Sequence, residues 1–269
     1  MMLRRPWGTL HYLDEGAGPL VVLLHPLATS CDIWRPLIEE LRPDFRVVAP
    51  DARGHGASTW NGEPFSIPDL ADDVAALIER LDAGPARIAA LSMGGCTAVA
   101  LAIRHPGLVG RLVLADTTAD YGAGKGAAWA ERAETAVAVP REKQLAFQRE
   151  RWFSPHFLER HPAEVERVSK IFTATDSRAH AAACHALGRY DDSSRLSAIT
   201  ASTVVVVGAD DYATPPGMAE ALHAGIAHSR LFVLPDTRHL SLVESQHARE
   251  LLRQHFRAES AIEDVASSW

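Results

Sequence analysis

Residues 90–102, ALSMGGCTAVALA, place a single serine, Ser92, at the boundary between two apolar segments. The run that precedes it, 86–91, has the continuous apolarity of a buried strand. Two glycines and a second apolar run follow, with the composition of a buried helix. A strand, an x-Ser-x-Gly turn and a helix in this order predict a sharp turn that holds the serine hydroxyl above the end of a sheet.

Small residues flank Ser92, as the crowding of strand and helix at such a turn requires. Ala90 and Gly94 occupy the two positions, and the first of them is more commonly glycine. The pattern favours a nucleophilic serine. A serine that ends a strand and merely caps the next helix has the same local pattern, so the rest of the chain must decide between the two interpretations.

Short apolar runs recur along the chain and predict the strands of one sheet. They are GTLHYLD (8–14), LVVLLH (20–25), FRVVAPD (45–51), ARIAALS (86–92), RLVLAD (111–116), STVVVVGAD (202–210) and RLFVLPD (230–236). After the first run, an expected antiparallel edge, apolarity is continuous, as in a parallel sheet covered on both faces. Helical patterns alternate with the runs, at 66–81 with Ser66 as a candidate cap and at 245–258. The predicted fold class is α/β, a mostly parallel twisted sheet with helices on both faces.

No strand-like run occurs between residues 118 and 197. Short amphipathic helices are predicted there: GKGAAWAERAETAVA (124–138), REKQLAFQRERWF (141–153), PAEVERVSKIFTAT (162–175) and SRAHAAACHALGRY (177–190). We therefore expect residues 1–117 and 198–269 to form the core, and 118–197 a helical lid over the carboxyl ends of the strands, where ligands bind. The tail, 258–269, is expected to fray.

Composition narrows the choice of partners and compartment. The 269 residues carry a net charge of −7, which disfavours nucleic acid or an anionic membrane as partner. The first residues contain no apolar segment typical of a signal peptide, and no run is long enough to cross a bilayer. Cys31, Cys96 and Cys184 are odd in number and far apart, which indicates a reducing compartment. We expect a cytoplasmic protein with a small-molecule partner, and the oligomeric state stays open.

A base and an acid must accompany a nucleophilic serine, because a neutral hydroxyl reacts poorly until its proton is taken. In the predicted fold they follow in the order Ser, Asp or Glu, His. His239 lies after the last predicted strand, where a loop can return to Ser92. Asp211, after the run 202–210, is the preferred acid, and Asp210 and Asp116 remain alternatives.

Two backbone amides are candidates for binding the oxyanion that forms during acyl transfer. The Met93 amide follows the serine at the start of a helix, where the helix dipole also favours negative charge. The second amide should come from the His25-Pro26-Leu27 loop, and since proline has no N–H, Leu27 must supply it. No cluster of residues has metal-ligand spacing, so neither a metal nor a cofactor is expected.

Seven motifs follow one another in an order that resembles the α/β-hydrolase superfamily, and in detail they are most similar to the 3-oxoadipate enol-lactonases. They are LLHPLATSCDIW (23–34), DARGHGAS (51–58), LSMGG (91–95), RLVLADTTADYG (111–122), RWFSPHFLERHP (151–162), GADDYATPP (208–216) and HLSLVE (239–244). The resemblance implies an α/β-hydrolase fold and hydrolysis of a lactone or carboxylic ester through an acyl-enzyme. It also implies the roles proposed above for Ser92, Asp211, His239 and the amides of Leu27 and Met93.

Two residues depart from the lactonase pattern. Asp116 stands where those enzymes usually have asparagine, and Asp120 where they usually have a basic residue. Two carboxylates near the site would repel an anionic substrate. We therefore expect a neutral or weakly acidic lactone or ester, unless Arg151 or Arg189 on the lid supplies a compensating cation.

Aromatic residues of the lid, Trp129, Trp152 and Phe153, are candidates for an apolar wall of the substrate site, or for contacts that hold the lid to the core. Lid residues decide the substrate on such a scaffold, and other functions therefore remain open. One alternative is an aryl esterase or a carbon–carbon bond hydrolase acting on ring-cleavage products. Another is a ligand receptor with a slow triad.

Overall fold

The apolar runs form one eight-stranded sheet within residues 1–258, the part of the chain that this computed structural model describes. The strands are β1 (Met2–Arg5), β2 (Gly8–Glu15), β3 (Leu20–Leu24), β4 (Arg46–Pro50), β5 (Ala86–Leu91), β6 (Val109–Ala115), β7 (Ser202–Gly208) and β8 (Ser229–Leu234). Their order is β1-β2-β4-β3-β5-β6-β7-β8. β1 and β2 pair antiparallel at one edge, β2 pairs antiparallel with β4, and the remaining pairs are parallel.

Helices cover both faces of the sheet. They are α1 (Arg35–Leu41), α2 (Ile67–Leu81), α3 (Met93–Arg104), α4 (Lys125–Ala138), α5 (Arg141–Trp152), α6 (Pro155–Arg160), α7 (Pro162–Ala174), α8 (Ser177–Arg189), α9 (Pro216–Gly225), α10 (Ser241–Glu244) and α11 (Gln246–Arg257). Alternate strand residues enter two apolar cores. Val22 packs with α2 and α3, whereas its neighbour Val21 packs with α1 and α11. Burial on both sides explains the continuous apolarity of the central strands.

The predicted fold class is confirmed, and the cap at Ser66 with it. The Ser66 hydroxyl accepts a hydrogen bond from the Asp69 amide (3.2 Å), and the Asp69 carboxylate accepts one from the Ser66 amide (2.7 Å). This reciprocal arrangement satisfies donors that the first turn of a helix leaves unpaired. Strand β1 was not predicted, because its MLRR sequence carries two arginines and lies half-exposed at the sheet edge.

Between β6 and β7 the chain forms α4 to α8, of which α6 was not predicted because it is a single short segment. α4 packs along α8, and a Cβ on Gly188 would lie 2.9 Å from the Cβ of Trp129, so only glycine permits this approach. α7 is bound to the core at two points. Arg167 donates hydrogen bonds to the carbonyls of Asp32 and Ile33, and the Thr175 hydroxyl donates one to the carbonyl of Ala28 (2.9 Å).

The sequence also gave expectations about the C-terminal tail, membrane-spanning segments and the cysteines. Beyond Ala258, the tail expected to fray lies outside the described residues. Within residues 1–258, no helix has both the length and the apolarity needed to cross a membrane. The three cysteines are buried and free of disulfides.

A buried carboxylate on α2 joins the sheet edge to the core. Asp73 accepts hydrogen bonds from Arg5 (2.9 Å), Trp7 (2.8 Å) and Arg53 (2.6 Å). Its neighbour Asp72 pairs with Arg104 on the surface, where its side chain is 38% exposed. Asp73 and Asp72 both form ion pairs with arginine, and they differ mainly in how deeply their carboxylates are buried.

Removing the Asp73 carboxylate should lower the free energy of unfolding by about 3 kcal/mol, because Asp73→Ala leaves two guanidinium groups without their buried partner. Asp72→Ala, the control on the same helix, should cost at most about 1 kcal/mol, since exposed ion pairs contribute little. Urea denaturation measures both. Equal losses for the two variants would contradict this account of the sheet edge.

Candidate active site

Ser92 sits at the turn between β5 and α3 in a backbone conformation that side-chain-bearing residues rarely adopt. Its φ is +55° and its ψ −118°. A Cβ on Gly94 would lie 2.3 Å from the carbonyl oxygen of Leu24, at the end of β3. The turn is therefore held against the neighbouring strand, and glycine at this position is a steric requirement. Strain of this kind persists only where the surrounding structure enforces it, and it is frequent at active sites.

Ser92, His239 and Asp211 form a continuous chain of hydrogen bonds. The Oγ of Ser92 lies 2.9 Å from Nε2 of His239, and Nδ1 of His239 lies 2.8 Å from Oδ2 of Asp211. Asp211 follows β7 and His239 follows β8, so both reach Ser92 from the carboxyl ends of parallel strands. All three side chains are buried.

Asp211 is held in its charged form. Burial acts against ionisation, but the adjacent His239 and hydrogen bonds from His239 and Thr214 keep the pKa of its carboxyl below the ordinary value. Oδ1 also accepts hydrogen bonds from the amides of Ala213 (2.7 Å) and Thr214 (3.1 Å). An ionised Asp211 requires a proton on Nδ1 of His239, which leaves Nε2 free to accept the serine proton.

The two alternative acids lie elsewhere. Asp210 is exposed, and its amide donates to the carbonyl of Thr237. Asp116 is fully buried and accepts hydrogen bonds from the amides of Gly208 (3.0 Å) and Ser241 (2.8 Å). Burial, with the nearby charge of Asp211, raises the pKa of Asp116 well above its ordinary value. Asp116 joins β6 to β7 and to the segment after His239, and its hydrogen bonds go to these backbone amides, whereas Nδ1 of His239 pairs with Asp211.

The loop after β3 is fixed by a buried histidine. His25 donates from Nδ1 to the carbonyl of Pro26 (2.8 Å), and its Nε2 accepts a hydrogen bond from the Ala52 amide (3.0 Å). Burial lowers the pKa of His25, consistent with the neutral ring that this pattern requires. Neither Leu27, in this loop, nor Met93, the first residue of α3, donates its amide hydrogen to any acceptor in residues 1–258. Both amides thus remain candidates for the oxyanion.

A cavity opens above Ser92. Its lining combines aromatic rings, small apolar residues and two guanidinium groups: Pro26, Leu27, Ala28, Thr29, Ser92, Tyr121, Trp129, Arg132, Gln148, Arg151, Trp152, Phe172, His180, Ala213, His239 and Leu240. The lining residues include no aspartate, glutamate or lysine. The permanent charges at the surface of this cavity are therefore the two positive charges of Arg132 and Arg151.

Neither cavity arginine has an anionic partner within residues 1–258. The Arg132 guanidinium lies 4.3 Å from the centre of the Trp129 ring, and that of Arg151 lies 5.0 Å from the centre of the Phe147 ring. Burial and the neighbouring charge of Arg132 lower the pKa of Arg151. An anion bound in the cavity would relieve this repulsion between like charges.

Of the residues predicted to contact substrate, Trp129, Trp152 and Arg151 line the cavity. Phe153 does not, because it is fully buried and stacks on Phe157 at 5.0 Å. Arg189 also does not, since it donates to the carbonyl of Phe65 (3.1 Å) beside a separate surface pocket. These two assignments are corrected by the structure.

Arg132, Gln148 and His180 also line the cavity, although they were not predicted from the sequence. A signal was present for Arg132, since it follows Trp129 by three residues on α4 and so lies on the same face of that helix. The expected repulsion by Asp120 is absent, because its carboxylate pairs with the ammonium of Lys125 and does not line the cavity.

A cluster of His11, Cys31 and Asp51 also places potential metal-binding atoms close together. Hydrogen bonds within the protein account for it. Asp51 accepts from the amides of Cys31 (2.7 Å) and Ala57 (2.9 Å) and contacts Nδ1 of His11 (2.8 Å). Burial raises the pKa of the Cys31 thiol.

Comparison with known proteins agrees with this architecture. A sequence-family model described as the alpha/beta hydrolase fold matches residues 19–246. The chain belongs to the α/β-hydrolase family. The predicted resemblance is thereby confirmed, and with it the prediction that the protein is a hydrolase.

Individual relatives of this α/β-hydrolase include lactonases and esterases. The 3-oxoadipate enol-lactonase 2 of Acinetobacter baylyi is 32% identical over 92% of this chain and 94% of its own length. The crystal structure of the enol-lactonase from Burkholderia xenovorans has a TM-score of 0.88 at 31% identity, and covers 93% of this chain and 97% of that one. A thermophilic esterase from Thermogutta terrifontis, solved with malate bound, has a TM-score of 0.86 at 29% identity and covers 93% of each chain.

Asp211→Asn should lower the turnover of an activated ester by about 10⁴-fold, because the amide stabilises the wrong tautomer of His239. Steady-state hydrolysis of a nitrophenyl ester measures this. Asp210→Asn is the matched control and should change turnover little, since its side chain is exposed. A larger loss for Asp116→Asn than for Asp211→Asn would move the acid to the earlier strand.

Proposed function

We propose that this protein is a serine hydrolase that opens a lactone or carboxylic ester bearing a free carboxylate, in the manner of an enol-lactonase. One observation carries the proposal. The Oγ of Ser92 lies 2.9 Å from Nε2 of His239, at a cavity whose permanent lining charges are the unpaired guanidinium groups of Arg132 and Arg151. A nucleophile and a binding site for an anion thus share one cavity.

In the proposed reaction, His239 Nε2 takes the proton of Ser92 as Oγ attacks the carbonyl carbon of the substrate. Ionised Asp211 stabilises the imidazolium that forms. The negative charge on the carbonyl oxygen is bound by the amides of Leu27 and Met93. Donors preoriented toward such an oxyanion usually provide the largest single contribution to acyl-transfer catalysis.

The tetrahedral intermediate then collapses, and His239 returns the proton to the departing oxygen. In a lactone this oxygen remains attached to the acyl group, so the ring opens and the chain stays bound through Ser92. Water, deprotonated by His239, attacks the acyl-enzyme, and the second collapse returns the proton to Ser92 and releases the acid.

Several observations support a carboxylate on the substrate, against the expectation from the sequence. Asp120 is paired with Lys125, and Asp116 lies beneath the site, so neither carboxylate faces the substrate. Two relatives of this protein are enol-lactonases, which supports a lactone as the substrate. The related esterase solved with malate binds a dicarboxylate, which fits a cavity that attracts anions.

Ser92 should be the serine that a fluorophosphonate probe labels. Ser92→Ala should abolish the label and lower turnover by about 10⁶-fold, as loss of the nucleophile does in other triad enzymes. Mass spectrometry of the labelled peptide and ester hydrolysis provide the measurements. Ser193→Ala, at an exposed serine that does not line the cavity, should keep both label and activity. A stable adduct after one turnover of substrate would favour a ligand receptor instead.

The two cavity arginines should make the enzyme prefer an anionic substrate. A lactone with a free carboxylate and its methyl ester form a matched pair. Arg132→Met and Arg151→Met should each lower kcat/KM for the free acid by tenfold or more, about 1.4 kcal/mol, and lower that for the methyl ester far less.

Arg189→Met is the control, because Arg189 lies on α8 outside the cavity and should leave the preference unchanged. Raising the salt concentration should weaken the preference of the wild-type enzyme for the acid. A wild-type preference for the methyl ester that is insensitive to salt would refute the anionic substrate.

A further inference from the structure

His180, on α8, is a buried histidine that lines the substrate cavity. Its side chain is only 5% exposed, and its ring packs edge-on against Phe172 with 6.2 Å between centres. It lies 59 positions from His239 along the chain and takes no part in the reaction described above. Its two ring nitrogens have different surroundings, and that difference decides its chemistry.

Arg141 determines the state of one nitrogen. A guanidinium nitrogen of Arg141 lies 2.6 Å from Nδ1 of His180. The same guanidinium donates to the carbonyl of Phe172 (2.7 Å) and lies 3.9 Å from the centre of the Phe172 ring. Burial lowers the pKa of Arg141 to about 10, which still leaves it charged at neutral pH. Arg141 is therefore a fixed donor beneath the cavity.

A guanidinium group can donate hydrogen bonds but cannot accept them. Nδ1 of His180 must therefore carry a lone pair, and the ring proton must lie on Nε2. Burial and the charge of Arg141 lower the pKa of His180 well below its ordinary value, as do His55 and Arg132, which face it from the loop after β4 and from α4. The ring is thus neutral, with a single tautomer.

Nε2–H is left as a donor without an acceptor among residues 1–258. Nε2 is not fully enclosed by protein atoms, and it is therefore accessible from open space. His180 lines the cavity together with Arg132, Gln148 and Arg151, and the same four residues border a neighbouring pocket that Glu131 and Lys143 also line. A neutral donor of fixed direction thus stands beside two cations that have no anion.

We propose that His180 is a specificity-determining residue that donates its Nε2–H to the substrate carboxylate, and that Arg141 is a positioning residue that fixes this tautomer. The inference rests on the proposed function and adds a directional contact to it. Arg132 and Arg151 attract the anion, whereas the imidazole N–H selects the position of one carboxylate oxygen. The opposite tautomer would present a lone pair to that oxygen and repel it.

His180→Asn removes the donor and keeps a side-chain oxygen where Arg141 needs an acceptor. It should lower kcat/KM for the free-acid lactone by tenfold or more, mainly through KM, and that for the methyl ester by less than about threefold, since bonds to charged acceptors are the stronger ones. His180→Gln, which restores an N–H near the position of Nε2, should recover most of the loss. His185→Asn, an exposed histidine on the same helix, is the matched control.

The tautomer is measured independently by NMR of the protein labelled with ¹⁵N-histidine, with the His180 signals identified by their absence from His180→Gln. They should show a neutral ring protonated on Nε2 between about pH 5 and 8. In Arg141→Met, which lacks the fixed donor, the ring should no longer be held in a single tautomer. Adding the free-acid lactone to Ser92→Ala should shift the Nε2–H signal.

Each outcome decides a separate claim. A ring protonated on Nδ1, an unchanged Nε2–H signal on addition of the lactone, or equal losses on acid and methyl ester in His180→Asn would overturn the role of His180. Failure of the wild-type protein to hydrolyse either compound would overturn the proposed function instead. The NMR measurements on Ser92→Ala test the contact whether or not the protein is a hydrolase.

Discussion

The close approach of three chain segments at Ser92 is the constraint on which the site depends. The end of β3 runs so near to the turn that a Cβ at Gly94 would collide with the carbonyl of Leu24. At the same turn Ser92 has a φ of +55°, and the start of α3 lies beside the loop that carries Leu27. The candidate nucleophile and both candidate oxyanion amides are therefore positioned by one piece of backbone packing.

Much of this core could be predicted from the sequence, because its signals are local or follow the order of the chain. Buried parallel strands have continuous apolarity, Ser66 and Asp69 form a cap within one turn, and Ser92, Asp211 and His239 each follow a strand. Strand β1 was not predicted, because its stability comes from pairing with β2 and from the bond between Arg5 and Asp73 on α2. The local sequence MLRR gives no sign of either contact.

The charge of the cavity could not be predicted, because it depends on which way side chains turn on the inserted helices. From the sequence, Asp120 was expected to repel an anionic substrate. In the structure its carboxylate pairs with the ammonium of Lys125 across a short turn. Arg189 was a candidate cation for the cavity, but its guanidinium donates a hydrogen bond to the carbonyl of Phe65. Arg132, which was not predicted, lies against Trp129 and lines the cavity. The positions of the candidate catalytic residues thus follow from strand order, whereas the residues that line the cavity follow from helix packing.

The hydrogen bond from Thr175 to the carbonyl of Ala28 has a consequence for how the cavity exchanges its contents. Ala28 has a φ of +58° and adjoins Leu27, so the end of α7 is attached directly to the loop that bears a candidate oxyanion donor. Any movement that carried α7 away would pull this loop out of shape. Exchange of the cavity's contents therefore has to leave the end of α7 in place if the Leu27 amide is to keep its position.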